Sequence, residues 1–371
     1  MFIQLPGIPG SLPANVLYLH MLVHEKYMHR CIEIAALGAG NVSPNPMVGA
    51  VIVHDGQIIG EGYHRQYGQA HAEVNAIGQV FADFAGAEAL LKKSTLYVSL
   101  EPCAHYGKTP PCADLIIKHR IPKVIVGCSD PFEQVDGRGI EKLKAAGIKV
   151  ISGILEAECR WLNRRFFTRV QKQRPYVILK WAQTDDGFIA PGDSSQFWIT
   201  GNESRRLVHK WRGEEDAILV GRNTVAIDNP HLNTRLWPGK SPKRVVIDRK
   251  LELSSKLNIY DQRAETLVFN ELKTDIEGKI KYIALEDFER FVPQYILFQL
   301  YLQDIQSVII EGGAHTLNSF IEEDLWDEAR ILTGNAVLGE GIAAPRITGI
   351  AGEEHLLGAD RLKLLINKPA N

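Results

Sequence analysis

Four side chains in the first third of the chain have the types and spacing for metal-assisted hydrolysis: His71 and Glu73 in HAE, and Cys103 and Cys112 at the ends of CAHYGKTPPC. An imidazole and two thiolates give Zn²⁺ three ligands and leave a fourth tetrahedral position open to water, the arrangement of a catalytic rather than a structural site. Zinc held this way brings the pKa of its water towards about 7 and so provides hydroxide at neutral pH. Glu73 stands two residues beyond the histidine on a first helical turn. From there a carboxylate reaches over the open position and moves protons. Helix N-termini also help to hold Cys103 and Cys112 as thiolates, because the positive end of the dipole favours the anion.

An H-x-E followed by Pro-Cys-x-x-Cys is the pattern of zinc nucleobase deaminases, in which the glutamate is the acid/base and not a ligand. Here Pro102-Cys103 and Pro111-Cys112 are separated by eight residues instead of two. Three other readings stay open on the residues alone. The histidine and two buried thiols could coincide by chance; a structural Cys₂His₂ site could be completed by His64 or His105; Cys103 and Cys112 could form a disulfide, which a reducing cytoplasm opposes. The remaining cysteines, Cys31, Cys128 and Cys159, fall in apolar patterns that suit core packing.

A second constellation lies near the C-terminus. Glu311-Gly312-Gly313 ends the apolar run SVII and leads into the helix-like AHTLNSF. A glycine turn from strand to helix lets backbone N–H groups approach a phosphate. No G-x-G-x-x-G follows the first strand of this half, so a Rossmann-type nicotinamide site is not offered.

The elements that must position these groups alternate between strand and helix. Helical spacing runs over residues 25–37, and MVGAVIVHDGQIIGEG reads as two strands joined at Asp55-Gly56. Residues 71–84 are a helix, 95–100 a strand, 112–119 a helix, and 123–128 and 148–153 strands around the helix 139–147. A charged helix over 155–175 ends at a proline and marks the best boundary. Beyond it the pattern restarts with strands at 176–182, 216–221, 244–248, 266–269, 307–313 and 329–334, and helices at 204–211, 295–302 and 314–323. At about 100–200 residues per domain, two α/β domains fit the length of 371.

Composition narrows the function classes. A net charge of −2 opposes a nucleic-acid or membrane-surface partner. Five cysteines, an odd number, do not make a secreted disulfide framework. No apolar run reaches the ~18 residues of a membrane span. The first twenty residues carry no Lys or Arg and three prolines, unlike a signal peptide, so residues 1–20 read as a floppy extension or an upstream start, with Met21 or Met28 as alternative beginnings. The expected compartment is the cytoplasm.

The residues resemble the bifunctional riboflavin-biosynthesis deaminase–reductase family. SPNPMVGAVIV, GYHRQYGQAHAEVNAI, TLYVSLEPCAHYGKTPPCADLI and SDPFEQVDGRGIEKLKAAGIKV are similar to its deaminase half. KWAQTDDGFIA, FWITG, DAILVGRNTVAIDNPHLNTR and EGGAHTLNSF are similar to its reductase half. The likeness implies an α/β chain with a cytidine-deaminase-like three-layer α/β/α domain over residues 21–168. A dihydrofolate-reductase-like α/β domain follows over 173–371. It also implies a zinc-dependent hydrolytic deamination of 2,5-diamino-6-ribosylamino-4(3H)-pyrimidinone 5′-phosphate, then NADPH-dependent reduction of the ribosyl group to ribityl.

By the same resemblance, His71, Cys103 and Cys112 are zinc ligands and Glu73 is the proton shuttle. Asn45, His64, Lys108 and Thr109 contact the first substrate; Lys108 and Thr109 fall between the two cysteines, close to a phosphate if zinc is bound. Ala182, Trp198, Thr224, Asp228 and the run Gly313, Ala314, His315, Thr316, Leu317, Asn318 and Ser319 take the NADPH side. Lys180, Gln196, Arg212, Leu232, Arg235 and Glu311 take the side of the second substrate. The ring-oxygen proton could come from Lys180, Asp228 or Glu311. The expected partners are a small phosphorylated pyrimidine and further copies of the chain in a dimer or tetramer.

Two departures from the family pattern stand out. Thr184-Asp185-Asp186-Gly187 replaces Ser-Leu/Met-Asp-Gly, placing a charge at Asp185 where an apolar residue is usual, and Gln196 stands where a serine hydroxyl is expected. The rival functions are a zinc deaminase of another nucleotide or an RNA base with a non-catalytic second domain, and a structural zinc module.

Overall fold

The computed structural model describes residues 14–104, 110–132, 135–193, 195 and 197–367. His105, Lys108, Thr109, Gln196 and residues 1–13 of the expected extension lie outside them. The chain divides between Gln171 and Lys172 into two compact units.

The first unit runs α1 (Ala14–Ala36), β1 (Gly49–His54), β2 (Gln57–Tyr63), α2 (Ala72–Asp83), α3 (Ala87–Leu91), β3 (Thr95–Leu100), α4 (Cys112–Lys118), β4 (Lys123–Cys128), α5 (Arg138–Ala145), β5 (Lys149–Ser152), α6 (Glu156–Leu162) and α7 (Arg164–Lys172). Its sheet has the order β2-β1-β3-β4-β5, with β1 antiparallel to β2 and β3, and with β3, β4 and β5 parallel. Asp55 and Gly56 both take positive φ, as the predicted hairpin turn requires.

Successive side chains of a strand point to opposite faces, and the core divides accordingly. Ala50, Ile52, Val124 and Val126 join α2, α4 and α5, while Val51, Val53 and Ile125 join α1, α6 and α7. This is the expected three-layer α/β/α arrangement.

Two helices depart from expectation. α1 begins at Ala14, so residues 14–20 belong to it and not to a floppy extension. The single charged helix predicted over 155–175 is two, broken at Asn163. The Asn163 amide accepts the N–H of Met47 at 2.7 Å and donates to the Met47 carbonyl at 2.8 Å, a partner in a distant segment.

The second unit runs β6 (Tyr176–Gln183), β7 (Phe188–Ala190), α8 (Asn202–Glu214), β8 (Ala217–Gly221), α9 (Arg222–Asp228), β9 (Lys243–Ile247), β10 (Thr266–Asn270), β11 (Asp275–Glu277), β12 (Ile280–Ala284), α10 (Val292–Tyr301), β13 (Ser307–Glu311), α11 (Ala314–Glu322), β14 (Glu328–Thr333), β15 (Ile342–Ala343), β16 (Ile350–Leu357) and β17 (Asp360–Ile366). The main sheet has the order β11-β12-β10-β9-β8-β13-β6-β14-β17-β16. From β12 to β14 every neighbour is parallel, and the antiparallel strands β11, β17 and β16 complete its edges.

The position of a crevice follows from the connections. β8 and β13 are neighbours, yet the helices after them cover opposite faces. Val225 of α9 packs with Ile218 and Val220, whereas Leu317 and Phe320 of α11 pack with Leu219 and Ile310. Where successive helices part to opposite faces, the carboxyl ends of the strands are left open as a ligand crevice.

Candidate active sites

In the first unit α2 lies directly on β2 because Gly62 has no side chain. A β-carbon there would sit 2.3 Å from Ala76 N and 2.4 Å from Ala72 O. This close approach sets His71, the N-cap of α2, and Glu73, in its first turn, at the end of the sheet. Cys112 opens α4, and Cys103 follows β3. His71 Nδ1 is 3.3 Å from Cys112 Sγ and 3.6 Å from Cys103 Sγ, and all three candidate donor atoms lie within 4.8 Å of one another.

Electrostatics suit a cation at this cluster. The Cys103 thiol is pushed down to about 4 because the Cys112 thiol, His71 and the Cys112 N–H, 3.3 Å away, all stabilise its anion, against the cost of burial. Glu73 is 3% exposed, and burial followed by the nearby Cys103 raises its carboxyl above the ordinary range. A buried carboxyl shifted in this direction can hold a proton as well as release it. One imidazole and two sulfurs are a donor set that fits zinc.

His64 does not complete a structural site. Its Nδ1 faces the Ala70 carbonyl at 3.1 Å, and a carbonyl can only accept, so Nδ1 carries the proton. Nε2 then accepts from the Asn45 amide at 3.1 Å. Burial lowers the His64 pKa and keeps the ring neutral. Both ring nitrogens are thereby engaged. Among the described residues only His71, Cys103 and Cys112 converge as a metal cluster, and the cysteines are free thiols.

A cavity of about 350 Å³ opens over this cluster, and Asn45, His64, His71, Glu73 and Cys103 line it. Sequence reasoning missed several of its supports. Glu101 accepts four backbone N–H groups: Gly139 at 2.9 Å and Ile140 at 3.2 Å on one oxygen, Gly137 at 3.1 Å and Asp130 at 3.3 Å on the other. It thus ties the start of α5 to the strand end that precedes Cys103. Asp130 lines the cavity, and its carboxyl rises to about 7, chiefly through burial. The placement of Glu101 immediately before Pro102-Cys103 was the available signal. Nothing in the sequence marked Asp130.

In the second unit a cavity of about 680 Å³ occupies the crevice at β8 and β13. Lys180, Ala182, Trp198, Thr224, Asp228 and Gly313 line it, as do Arg212, Leu232, Arg235, Glu311, Ala314 and His315. Thr316, Leu317, Asn318 and Ser319 do not. Leu317 points into the core, the Ser319 hydroxyl donates to Thr316 O at 2.8 Å, and Thr316 Oγ1 would lie 2.5 Å from a β-carbon on Gly221. Only the N-cap Gly313 and the first two residues of α11, Ala314 and His315, line the crevice.

Sheet register brings the charged groups together. Lys180 and Glu311 are paired across β6 and β13. Glu311 accepts from Arg212 at 2.8 Å and lies 3.9 Å from Lys180 Nζ, while its Oε1 is buried without a hydrogen-bond partner. Burial alone would raise this carboxyl, but Arg212 and Lys180 outweigh it and hold it at about 2. Burial lowers the pKa of the Lys180 ammonium, Glu311 opposes, and Arg212 adds to the lowering. Partial desolvation raises Asp228.

At the glycine turn the Gly313 N–H donates to Thr224 Oγ1 at 3.2 Å, joining the starts of α9 and α11. A glycine turn opening a nine-residue helix at a crevice fits the diphosphate of a dinucleotide. Of the two departures from the family pattern, Asp185 is exposed and pairs with Arg361 at 2.5 Å.

Comparison with known proteins bears on both cavities. A family model described as "Cytidine and deoxycytidylate deaminase zinc-binding region" matches residues 21–128, and one described as "RibD C-terminal domain" matches residues 175–365. The chain is 42% identical to riboflavin biosynthesis protein RibD of Aquifex aeolicus over 86% of this chain and 89% of that one. Two solved structures are similar along nearly all of it. One is a diaminohydroxyphosphoribosylaminopyrimidine deaminase/5-amino-6-(5-phosphoribosylamino)uracil reductase from Thermotoga maritima, with a TM-score of 0.86, 37% identity, and coverage of 94% of this chain and 100% of that chain. The other is Acinetobacter baumannii RibD, with a TM-score of 0.84, 33% identity, and coverage of 94% and 99%.

Proposed function

The chain belongs to the RibD family of riboflavin biosynthesis proteins, and from that premise we propose how its residues divide the family's two reactions between them. It is a bifunctional enzyme, a zinc-dependent deaminase and an NADPH-dependent reductase. Deamination of 2,5-diamino-6-ribosylamino-4(3H)-pyrimidinone 5′-phosphate comes first, and the ribosyl group of its product is then reduced to ribityl. The domains are assigned to residues 21–168 and 173–371. The observation that carries the division is the presence, in one chain, of two separate constellations: His71–Cys103–Cys112 beside Glu73, and Lys180–Glu311–Arg212 beside a glycine turn.

In the deaminase half His71 Nδ1 and the two cysteine sulfurs hold the zinc, which when bound supplies an acidified water. Glu73 takes up a proton on its buried carboxylate and delivers it to the departing nitrogen, which leaves as ammonia. Asn45 and the neutral His64 orient the pyrimidine. Lys108 and Thr109, between the ligand cysteines in sequence, meet its phosphate.

In the reductase half NADPH supplies the hydride. Gly313, Ala314, His315 and Thr224 hold its phosphates, with Ala182, Trp198 and Asp228 along the same side. Lys180, Arg212, Leu232, Arg235 and Glu311 are assigned to the substrate side, and Gln196 is assigned there too. Glu311 Oε1, 3.9 Å from Lys180 Nζ and without a hydrogen bond of its own, accepts from a sugar hydroxyl. Arg212 and Lys180 favour the ionised form of Glu311, so the ring-oxygen proton is assigned to Lys180 or Asp228. Self-association into a dimer or tetramer, the absence of a nucleic-acid partner and a cytoplasmic location complete the proposal. The net charge of −2 supports the second of these, and no helix among the described residues is long and apolar enough to cross a membrane.

Chelation separates the halves. Dialysis against a zinc chelator is expected to abolish ammonia release and zinc to restore it, while NADPH oxidation with the already deaminated substrate continues. Ammonia release that survives complete removal of zinc would refute the assignment.

A further inference from the structure

α8 carries a buried group that neither reaction above employs. His209 is 4% exposed, lies one turn before Arg212 and lines the reductase cavity. Its Nδ1 accepts the backbone N–H of Arg235 at 3.1 Å. An amide N–H can only donate, so this nitrogen is unprotonated and the ring is neutral. The surroundings enforce that state. Burial, then Arg212 and Arg235, bring its pKa down to about 4, and Glu311 opposes only in part.

The segment that His209 grips needs holding. Asn229 and Leu232 both take positive φ, at 41° and 51°, a region that disfavours ordinary side chains. The ties at its far end are Thr234 N–H to Ser241 Oγ at 3.1 Å, the Arg235 guanidinium to Asn233 Oδ1 at 3.0 Å, the Arg212 guanidinium to the Asn233 carbonyl at 3.5 Å, and His209, which bonds the backbone at both Asn233 and Arg235. Arg235 has no carboxylate within ion-pair distance among the described residues. Burial and the neighbouring Arg212 and Arg205 lower its pKa. An arginine among other cations, without a counter-charge, at the edge of a cavity is a place for an anion.

We propose that His209 is a positioning residue for the phosphate subsite of the reductase: a neutral imidazole that fixes the backbone at Arg235 so that its guanidinium meets the ribosyl phosphate. The inference rests on the reading of Arg235 as a substrate-side residue. It adds what holds that residue in place. His209 touches neither the sugar carbon nor the nicotinamide in this role, so its effect belongs in recognition of the phosphate and not in the chemical step.

The test compares reduction of the deaminated substrate with and without its 5′-phosphate, in the full-length zinc-loaded enzyme. His209→Leu removes the acceptor and is expected to reduce the preference for the phosphorylated substrate about tenfold, the order of a lost buried hydrogen bond. The loss should appear in KM, with kcat and the KM for NADPH retained. His209→Asn, which offers Oδ1 close to the place of Nδ1, is expected to recover most of the preference. Arg235→Gln sets the scale by abolishing it, and a retained KM for NADPH together with an unshifted thermal melt reports that the reductase half of each variant is folded. If the leucine variant does not fold, His209→Gln, whose acceptor is displaced by one bond, replaces it. Loss of preference in Arg235→Gln with full preference in the His209 variants would overturn the role of His209. An equal loss for both substrates would also overturn it, as the mark of a packing role. Unchanged preference in Arg235→Gln would overturn the reading of Arg235 itself.

Discussion

Replacing Glu73 with glutamine is expected to slow ammonia release by about 10²–10⁴-fold, the usual worth of a positioned acid/base, without loss of zinc. Glutamine matches glutamate in shape and keeps the packing of the first turn of α2, where Glu73 is almost wholly buried. It cannot take up and return a proton. The three candidate metal donors are His71, Cys103 and Cys112 and do not include Glu73, so metal analysis should find the same zinc content in the variant. NADPH oxidation with the deaminated substrate should be unaffected, because it belongs to the other constellation. Full ammonia release with zinc bound would make the cluster a structural one, and loss of zinc would make Glu73 a ligand.

The second large effect is expected at Glu311. Its carboxylate compensates two largely buried cations, Arg212 and Lys180. Glu311→Gln leaves both without it, and removing one partner of a buried charge cluster costs about 3–5 kcal/mol. For a unit of this size the melting temperature should fall on the order of 10 °C. Lys180, its pKa already lowered by burial, should lose its proton more easily still, and NADPH oxidation should collapse with it.

The pH dependence has a definite sign. The folded-state pKa of Glu311 is about 2, below the ordinary 4.5, so its contribution to stability is complete above pH 4.5 and is lost as pH falls towards 2. Thermal melts of the reductase half between pH 5 and pH 2 should show a loss that the glutamine variant lacks. Equal acid sensitivity in both proteins would place the stabilising charge elsewhere.

Which features were legible in the sequence depends on how far their partners lie along the chain. The zinc cluster was legible because imidazole, thiol and carboxylate types identify the chemistry, and Pro-Cys and H-x-E place it on helix starts. The strands that carry Val51, Ile125, Ile178 and Ile309 were legible from apolar runs. Asn163 was not: helical spacing continues through it, and only its bonds to Met47 break the helix.

The roles of Glu101 and His209 were hidden for the same reason, although the place of Glu101 directly before Pro102-Cys103 was a signal the sequence offered. Each acts on backbone N–H groups of a distant segment, and any residue type can supply those. The run from Gly313 to Ser319 was read as one cofactor-binding stretch, but only Gly313, Ala314 and His315 line the crevice, a distinction made by the direction of α11. α3, β7, α9, β11, β12, β15, β16 and β17 were also missed. Their stretches are short, charged or of mixed character; neighbouring strands rather than local pattern hold the strands in their sheets, and packing of Val225 against β8 holds α9.

The order of the two reactions tests most directly how they divide between the two sites. Given the diamino phosphate substrate and NADPH, one preparation of the native enzyme should release ammonia and then oxidise NADPH after a lag. Glu73→Gln given the same mixture should do neither at an appreciable rate, and should oxidise NADPH at the native rate once the deaminated phosphate is added. NADPH oxidation by Glu73→Gln on the diamino substrate, or none by the native enzyme on the deaminated one, would contradict the assignment of two consecutive steps to these two sites.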